Sequence, residues 1–273
     1  MSEVGLLRFL RKYSYYLLSV FEILVGFDNP ILLTKIFLGL AVPGSKIIRL
    51  RKHGLRFRVR GAMDVWSIKE TFLDGFYEKY GFPIQPDWEI IDIGAGIGDY
   101  TLFASTAQPK VKVFAFEPYP ESFALTQENL RLNAITSAQI FDNAIGATSG
   151  ELMLDLTGGE PLQFQSYHEP VIHNKTILPV HSLSLVDAFA KLGLGSCDLL
   201  KLDCEGAEYS ILFGTSRSVL ERIQRIVMEY HDGLTAHDHR DLTSFLNEQG
   251  FQVETFPNPV HSQLGYLRAL RKN

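Results

Sequence analysis

From residue 88 onward, short apolar runs alternate with amphipathic stretches of helical spacing. The runs fall at 89–93, 111–116, 138–142, 198–203, 225–230, 251–255 and 264–270, each of strand rather than helix length. Helices are expected between them near 99–107, 120–132, 207–221 and 238–249. Pro120 suits the first turn of its helix, and Gly250 closes the last one. Such alternation, joined by right-handed crossovers, predicts an α/β fold with a mostly parallel seven-stranded sheet flanked by helices. Residues 150–195 break the order. Gly158-Gly159 and the stretch 167–175 read as a long loop or hairpin, followed by a short helix over 183–192. An insertion of that length in such a sheet commonly covers an acceptor site.

The first 43 residues follow another pattern and are expected to form a helical extension, with residues 44–273 as the main unit. Pro43-Gly44-Ser45 marks the boundary. Two apolar runs, 15–25 and 31–42, are interrupted by Glu22 and Lys35. Neither reaches the roughly 20 uncharged residues needed to span a bilayer. Arg8, Arg11 and Lys12 flank an aromatic-rich face. Two readings follow: helices packed on the main unit or on a twin subunit, or a peripheral membrane contact through residues 1–42. Lys46 to Arg60 alternates basic and apolar residues around His53-Gly54, which predicts a hairpin. Residues 64–80 carry Trp66, Phe72, Phe76 and Tyr80 at helical spacing, with Tyr77 or Tyr80 a candidate border of a pocket.

The chemistry concentrates where the first core strand ends, at Asp92-Ile93-Gly94-Ala95-Gly96-Ile97-Gly98-Asp99-Tyr100. Three glycines at alternate positions between a strand and a helix start make a tight turn that can admit a ligand. Glu117, 25 residues after Asp92, closes the next strand, where an acid accepts hydrogen bonds from ribose hydroxyls. A dinucleotide fingerprint would read G-x-G-x-x-G, whereas this turn reads G-x-G-x-G. Asp99 near the helix N-terminus would also oppose a pyrophosphate. S-adenosylmethionine, a nucleoside without phosphates, fits best. An NAD-linked oxidoreductase is the weaker alternative.

Four motifs in order, Asp92 to Gly98, Phe116-Glu117-Pro118, Asn143-Ala144-Ile145-Gly146 and Lys201-Leu202-Asp203-Cys204-Glu205-Gly206-Ala207-Glu208, resemble those of the FkbM family of methyltransferases. The resemblance covers roughly 64–231, and Gly96 stands where the family's glycine motif commonly has Asn. It implies a class I methyltransferase fold and methyl transfer from S-adenosylmethionine to a hydroxyl oxygen, often of a sugar or a polyketide. The cofactor-binding candidates are then Asp92, Gly94, Ala95, Gly96, Gly98, Tyr100, Glu117, Pro118, Asp142, Asn143 and Asp203. A non-catalytic scaffold that keeps the cofactor fold and docks to glycan-biosynthesis partners is the rival from another class.

Three acids, Asp203, Glu205 and Glu208, crowd one strand end and need a cation, a proton or hydrogen-bond donors to coexist. Glu208 can instead cap the following helix. Glu229 or His231, at the end of the next strand, should face them across the acceptor pocket. Catalysis is therefore assigned to His231, Asp203 and Glu205, with His231 suited to accept a hydroxyl proton. A divalent cation on Asp203 with Glu229 or His231 is an alternative, not favoured because no tight ligand spacing is visible. His237-Asp238-His239 reads as a solvated helix cap.

Composition adds exclusions. A formal net charge of −5 gives no overall basic excess for nucleic acid. Cys197 and Cys204 lack metal spacing and are expected as reduced thiols, and no cleavable signal is evident, so a cytoplasmic or membrane-associated setting is expected. The apolar N-terminal stretch makes a homo-oligomer a further expectation.

Overall fold

The computed structural model describes residues 3–41, 43–167, 176–258, 260–261 and 263–272, with side chains from residue 14 onward. Arg8, Arg11 and Lys12, and most of the stretch 167–175, therefore lie outside the described side chains. Two helices lead, α1 (Glu3–Gly26) and α2 (Pro30–Phe37), followed by the hairpin β1 (Lys46–Arg49) and β2 (Arg56–Val59). Helix α3 (Ala62–Lys69) then runs into two wide π-type turns at Glu70–Asp74 and Tyr77–Gly81. The continuous helix expected over 64–80 is thus broken, because Gly75 takes a left-handed conformation (φ 63°) between the two turns.

The core alternates as the pattern predicts: β3 (Glu89–Ile93), α4 (Asp99–Ala107), β4 (Lys112–Phe116), α5 (Pro120–Leu132) and β5 (Ala138–Phe141). An inserted region follows, with β6 (Ala144–Gly146), β7 (Gly150–Asp155), β8 (Gln165–Tyr167), β9 (Ile177–Ser184) and α6 (Leu185–Leu192). The chain returns through β10 (Leu199–Leu202), α7 (Ala207–Gly214), α8 (Arg217–Leu220), β11 (Arg225–His231), α9 (His239–Glu248), β12 (Phe251–Pro257) and β13 (Leu264–Arg271). The single helix expected over 207–221 is two, because Thr215 between them is extended (φ −82°, ψ 128°).

The main sheet has seven strands in the order β12-β13-β11-β10-β3-β4-β5. Strands β5, β4, β3, β10 and β11 are mutually parallel, while β13 is antiparallel to both β11 and β12. Chain direction away from the centre reverses between β3 and β10, so the crevice at their carboxyl ends is the switch point where such sheets bind ligands. The insertion is more regular than a loop. It forms a second, four-stranded sheet in the order β6-β9-β7-β8. Alternate residues Leu152, Leu154 and Val180 bury one face of it with Ala144.

Each face of the main sheet buries its own core. Ile91 and Ile93 pack with α6, α7 and α9 through Phe189, Ile211 and Leu246. Ile90, on the other face, packs with Tyr77, Trp88 and Tyr100. The N-terminal helices join a third cluster: Ile23, Phe27, Leu33 and Ile36 pack with Leu50, Phe57, Ile68 and Leu102. They are therefore seated on the main unit along one face.

A buried ion pair locks that seating. Lys69, fully buried, donates to Ser19 Oγ of α1 at 2.8 Å and to Asp74 Oδ2 at 2.7 Å. Removing the lysine leaves Asp74 buried without its cation, which typically costs about 3–5 kcal/mol. Lys69→Met should therefore lower unfolding free energy by roughly that amount in urea melts. A loss under about 1 kcal/mol would mean that α1 is not tied down through Lys69.

Candidate active site

The glycine turn after β3 is built by close approach. A Cβ on Gly94 would lie 1.9 Å from the backbone oxygen of Asp203, so no side chain is sterically tolerated there. The proximity has a cause. Lys201 and Asp92 are register partners on β10 and β3, and Lys201 Nζ sits 3.1 Å from Asp92 Oδ1 and 2.9 Å from the Gly94 carbonyl. Neighbouring carboxylates hold the Lys201 ammonium above its ordinary pKa despite the opposing effect of burial. The lysine stays charged and draws the two strand ends together.

A cleft of about 280 Å³ opens over this turn. Of the expected residues, Gly94, Ala95, Gly96, Glu117, Pro118, Asp203, Glu205 and His231 line it. Glu117 accepts the amides of Gly96 at 2.8 Å and Tyr119 at 2.9 Å. Burial nevertheless pushes its pKa up to about 7. This carboxylate, 7% exposed, suits ribose hydroxyls, and the side-chain-free backbone at Gly94 and Gly96 suits the amino-acid end of S-adenosylmethionine.

Five expected cofactor contacts do not line the cleft, each for a physical reason. Asp92 lies beneath the turn, fully buried against Lys201 and accepting from Thr101 Oγ1 at 2.6 Å. Tyr100 backs the wall, its ring edge-on to Tyr77 with centroids 4.8 Å apart. Gly98 starts α4 in a left-handed conformation and packs against Thr126. Asp142 is exposed, and Asn143 Oδ1 accepts from Lys191 Nζ at 2.9 Å. At that point the chain turns from β5 into β6, so Ala144 and Ile145 form the wall instead.

The acids of the 203–208 motif divide into different roles. Asp203 Oδ2 accepts from Tyr77 Oη at 2.8 Å and lies 3.9 Å from Lys201 Nζ. Glu208 is fully buried and accepts the amides of Cys204 at 2.7 Å and Gly206 at 2.9 Å, closing the turn that begins α7. His231 stands between two of the acids. Its Nδ1 lies 3.3 Å from Glu208 Oε1, off the line of a good hydrogen bond, and its Nε2 lies 3.5 Å from Glu205 Oε2.

Although burial opposes it, Glu208, then Glu205 and Glu229 raise the His231 pKa well above the usual value, while burial pushes Glu205 up to about 7. These acids favour the protonated ring, which bears on the expectation that His231 accepts a hydroxyl proton. Asp203, Glu208 and His231 also bring one donor atom each within 4.8 Å of one another, a set that a divalent cation can use. Both Glu208 oxygens are already taken by backbone amides, which makes it a poor ligand as it stands.

Several lining residues were not assigned from the sequence. Glu70, beside the first π-type turn, accepts from Trp66 Nε1 at 2.9 Å, and burial pushes its pKa up to about 8. Tyr266, and Leu162 and Phe164 from the inserted region, were likewise not assigned, whereas Glu229 and Tyr77 line the cleft as expected. Tyr80 stacks on Tyr266 and stays outside the lining. Lys201 was legible in principle as a lysine inside the apolar strand Leu199-Leu200-Lys201-Leu202, a residue type rarely buried without a partner.

Glu117 generates a test. If only its carboxylate form accepts the nucleoside hydroxyls, affinity for S-adenosylhomocysteine should weaken about tenfold between pH 8 and pH 6. Calorimetry should find that slope lost in Glu117→Gln. An identical slope in the variant would remove Glu117 from the binding site.

The comparisons agree with this architecture. A profile described as the Methyltransferase FkbM domain matches residues 92–253. The AMB antimetabolite synthetase AmbE of Pseudomonas aeruginosa is 26% identical over 225 residues, 68% of this chain, which spans only 10% of that much longer protein. The 31-O-demethyl-FK506 methyltransferase FkbM of Streptomyces tacrolimicus is 26% identical over 223 residues, 70% of this chain and 83% of that one. The hexuronic acid methyltransferase AglP of Haloferax volcanii is 23% identical over 217 residues, 78% of this chain and 84% of that one. With more than half of its length matched by the family profile, the chain belongs to the FkbM family of methyltransferases.

Proposed function

We propose that the protein methylates a hydroxyl oxygen of a sugar or natural-product acceptor, with S-adenosylmethionine as donor. The observation that carries this reading is one cleft lined by two kinds of group. Glu117 and the side-chain-free backbone at Gly94 and Gly96 suit the donor, while Glu205, Glu229 and His231 supply acid–base groups, and Asp203 lies against the Gly94 turn. S-adenosylmethionine supplies a methyl group already activated on a sulfonium, so the chain's own task is to align an oxygen and remove its proton. The cleft is rich in carboxylates and in the rings of Trp66, Tyr77 and Tyr266, which suits an uncharged polyol. Two relatives support oxygen and sugar chemistry by name, one acting on 31-O-demethyl-FK506 and one on a hexuronic acid.

Glu205 is the proton acceptor in this reading. Its side chain keeps 22% exposure in the cleft, and its pKa of about 7 matches proton transfer near neutrality. The charged His231 ring positions it, and Glu208, fixed by two amides, positions the ring. Asp203, tied to Tyr77 and close to Lys201, orients the acceptor beside the Gly94 turn. The route runs without a divalent cation.

Two measurements test it. Glu205→Gln should lower kcat by about 100-fold or more while leaving S-adenosylhomocysteine affinity within about twofold. An unchanged kcat would remove Glu205 from proton transfer. Treatment of the wild-type protein with EDTA should leave the rate within about twofold, whereas loss restored by Mg²⁺ would show a metal-assisted route instead.

A further inference from the structure

The outer face of the N-terminal helices is apolar and has no partner among the described residues. On α1, Ser19, Ile23 and Phe27 are at most 1% exposed and face the core. Leu17, Phe21 and Val25, at the same four-residue spacing, lie on the opposite side at 72%, 64% and 55% exposure. Ile31, Leu38 and Leu40 extend the patch across and beyond α2 at 71%, 65% and 68%. Six large apolar side chains on two adjoining helices and the segment just after them are more than a monomeric surface normally leaves open.

Charge identifies what covers it. Residues 1–60 carry eleven Lys and Arg against three Asp and Glu, while residues 61–273 carry fifteen against twenty-eight. Exposed basic residues lie on α2 and on the hairpin that follows it. Backbone pairing of Phe27 with Leu50 sets the β1–β2 hairpin beside the end of α1. Arg51 Nε donates to the Phe27 carbonyl at 2.7 Å, and the Asp28 amide donates to the Arg49 carbonyl at 3.0 Å. Lys35, Arg49, Arg51, Lys52 and Arg56 are all exposed. No described helix is long and apolar enough to cross a membrane. An apolar helix face in the strongly basic part of the chain, too short in apolar reach to span, fits a helix lying in the headgroup layer.

We infer that α1, α2 and the β1–β2 hairpin dock the protein onto an anionic lipid bilayer. The same helix reaches the cleft. Tyr15 and Tyr16 pack on Trp66 with ring centroids 6.1 and 5.7 Å apart, and Tyr16 Oη lies 3.4 Å from His261 Nε2. Trp66 and His261 both line the cleft. The docked protein would then receive an amphiphilic acceptor whose hydroxylated head enters the cleft while its apolar tail stays in the bilayer. That consequence rests on the reading of the cleft given above; the docking itself does not.

Flotation tests the docking directly, using the full chain with vesicles of neutral phosphatidylcholine alone or with 30% phosphatidylglycerol. The protein should float with the anionic vesicles, and 0.5 M NaCl should release it. Leu17→Asp combined with Phe21→Asp, and separately Lys35→Glu combined with Lys52→Glu, should each reduce the bound fraction at least tenfold. S-adenosylhomocysteine binding by each variant, measured in the same preparation, should stay unchanged, which separates loss of docking from loss of fold or of the donor site. Failure of the wild-type protein to float with anionic vesicles would overturn the proposal. So would a wild-type dimer in sedimentation that Leu17→Asp with Phe21→Asp dissociates, since a second copy would then cover the face.

Discussion

The site depends on one buried pair, Lys201 with Asp92. Both are nearly inaccessible, at 3% and 0% exposure, and they face each other across the two strands that flank the switch point. Two such ions leave water at a cost of several kcal/mol each, so the arrangement persists only because each is well supplied with partners. Thr101 donates to the carboxylate, and the ammonium also reaches the Gly94 carbonyl. The pair therefore does more than offset desolvation. It sets the distance between the glycine turn and Asp203, and that distance dictates a glycine at position 94.

The rest of the cleft follows from an excess of carboxyl groups. Glu70, Asp99, Glu117, Asp203, Glu205 and Glu229 all line it. Among the described lining residues the basic groups are Lys201, His231 and His261. In a buried setting these acids cannot all ionise together, and burial is the largest cause of the upward shifts at Glu70, Glu117, Glu205 and Glu229. A cationic sulfonium is the kind of ligand that such a surface favours.

Much of this was legible in the chain. The seven core strands appear where short apolar runs alternate with helical spacing, because buried parallel strands read as uninterrupted apolar stretches. The second sheet was hidden, since its three-residue strands β6 and β8 are too short to show a period. The breaks in α3 and after α7 were hidden too, because Gly75 and Thr215 decide them locally inside patterns that otherwise continue as helix. At the site, Gly94, Gly96 and Glu117 could be placed from spacing along one βαβ unit. Asp142 could not, because its placement depends on where β6 leaves the main sheet. The setting of His231 could not either, because Glu205 and Glu208 converge on it in space.

The most direct measurement is a crystal structure of the protein with S-adenosylhomocysteine. The account predicts the ribose hydroxyls on the Glu117 carboxylate, the homocysteine end along the Gly94–Gly96 backbone, and the sulfur facing Asp203 and Glu205. A nucleoside bound without contact to Glu117, or seated outside the crevice between β3 and β10, would contradict it.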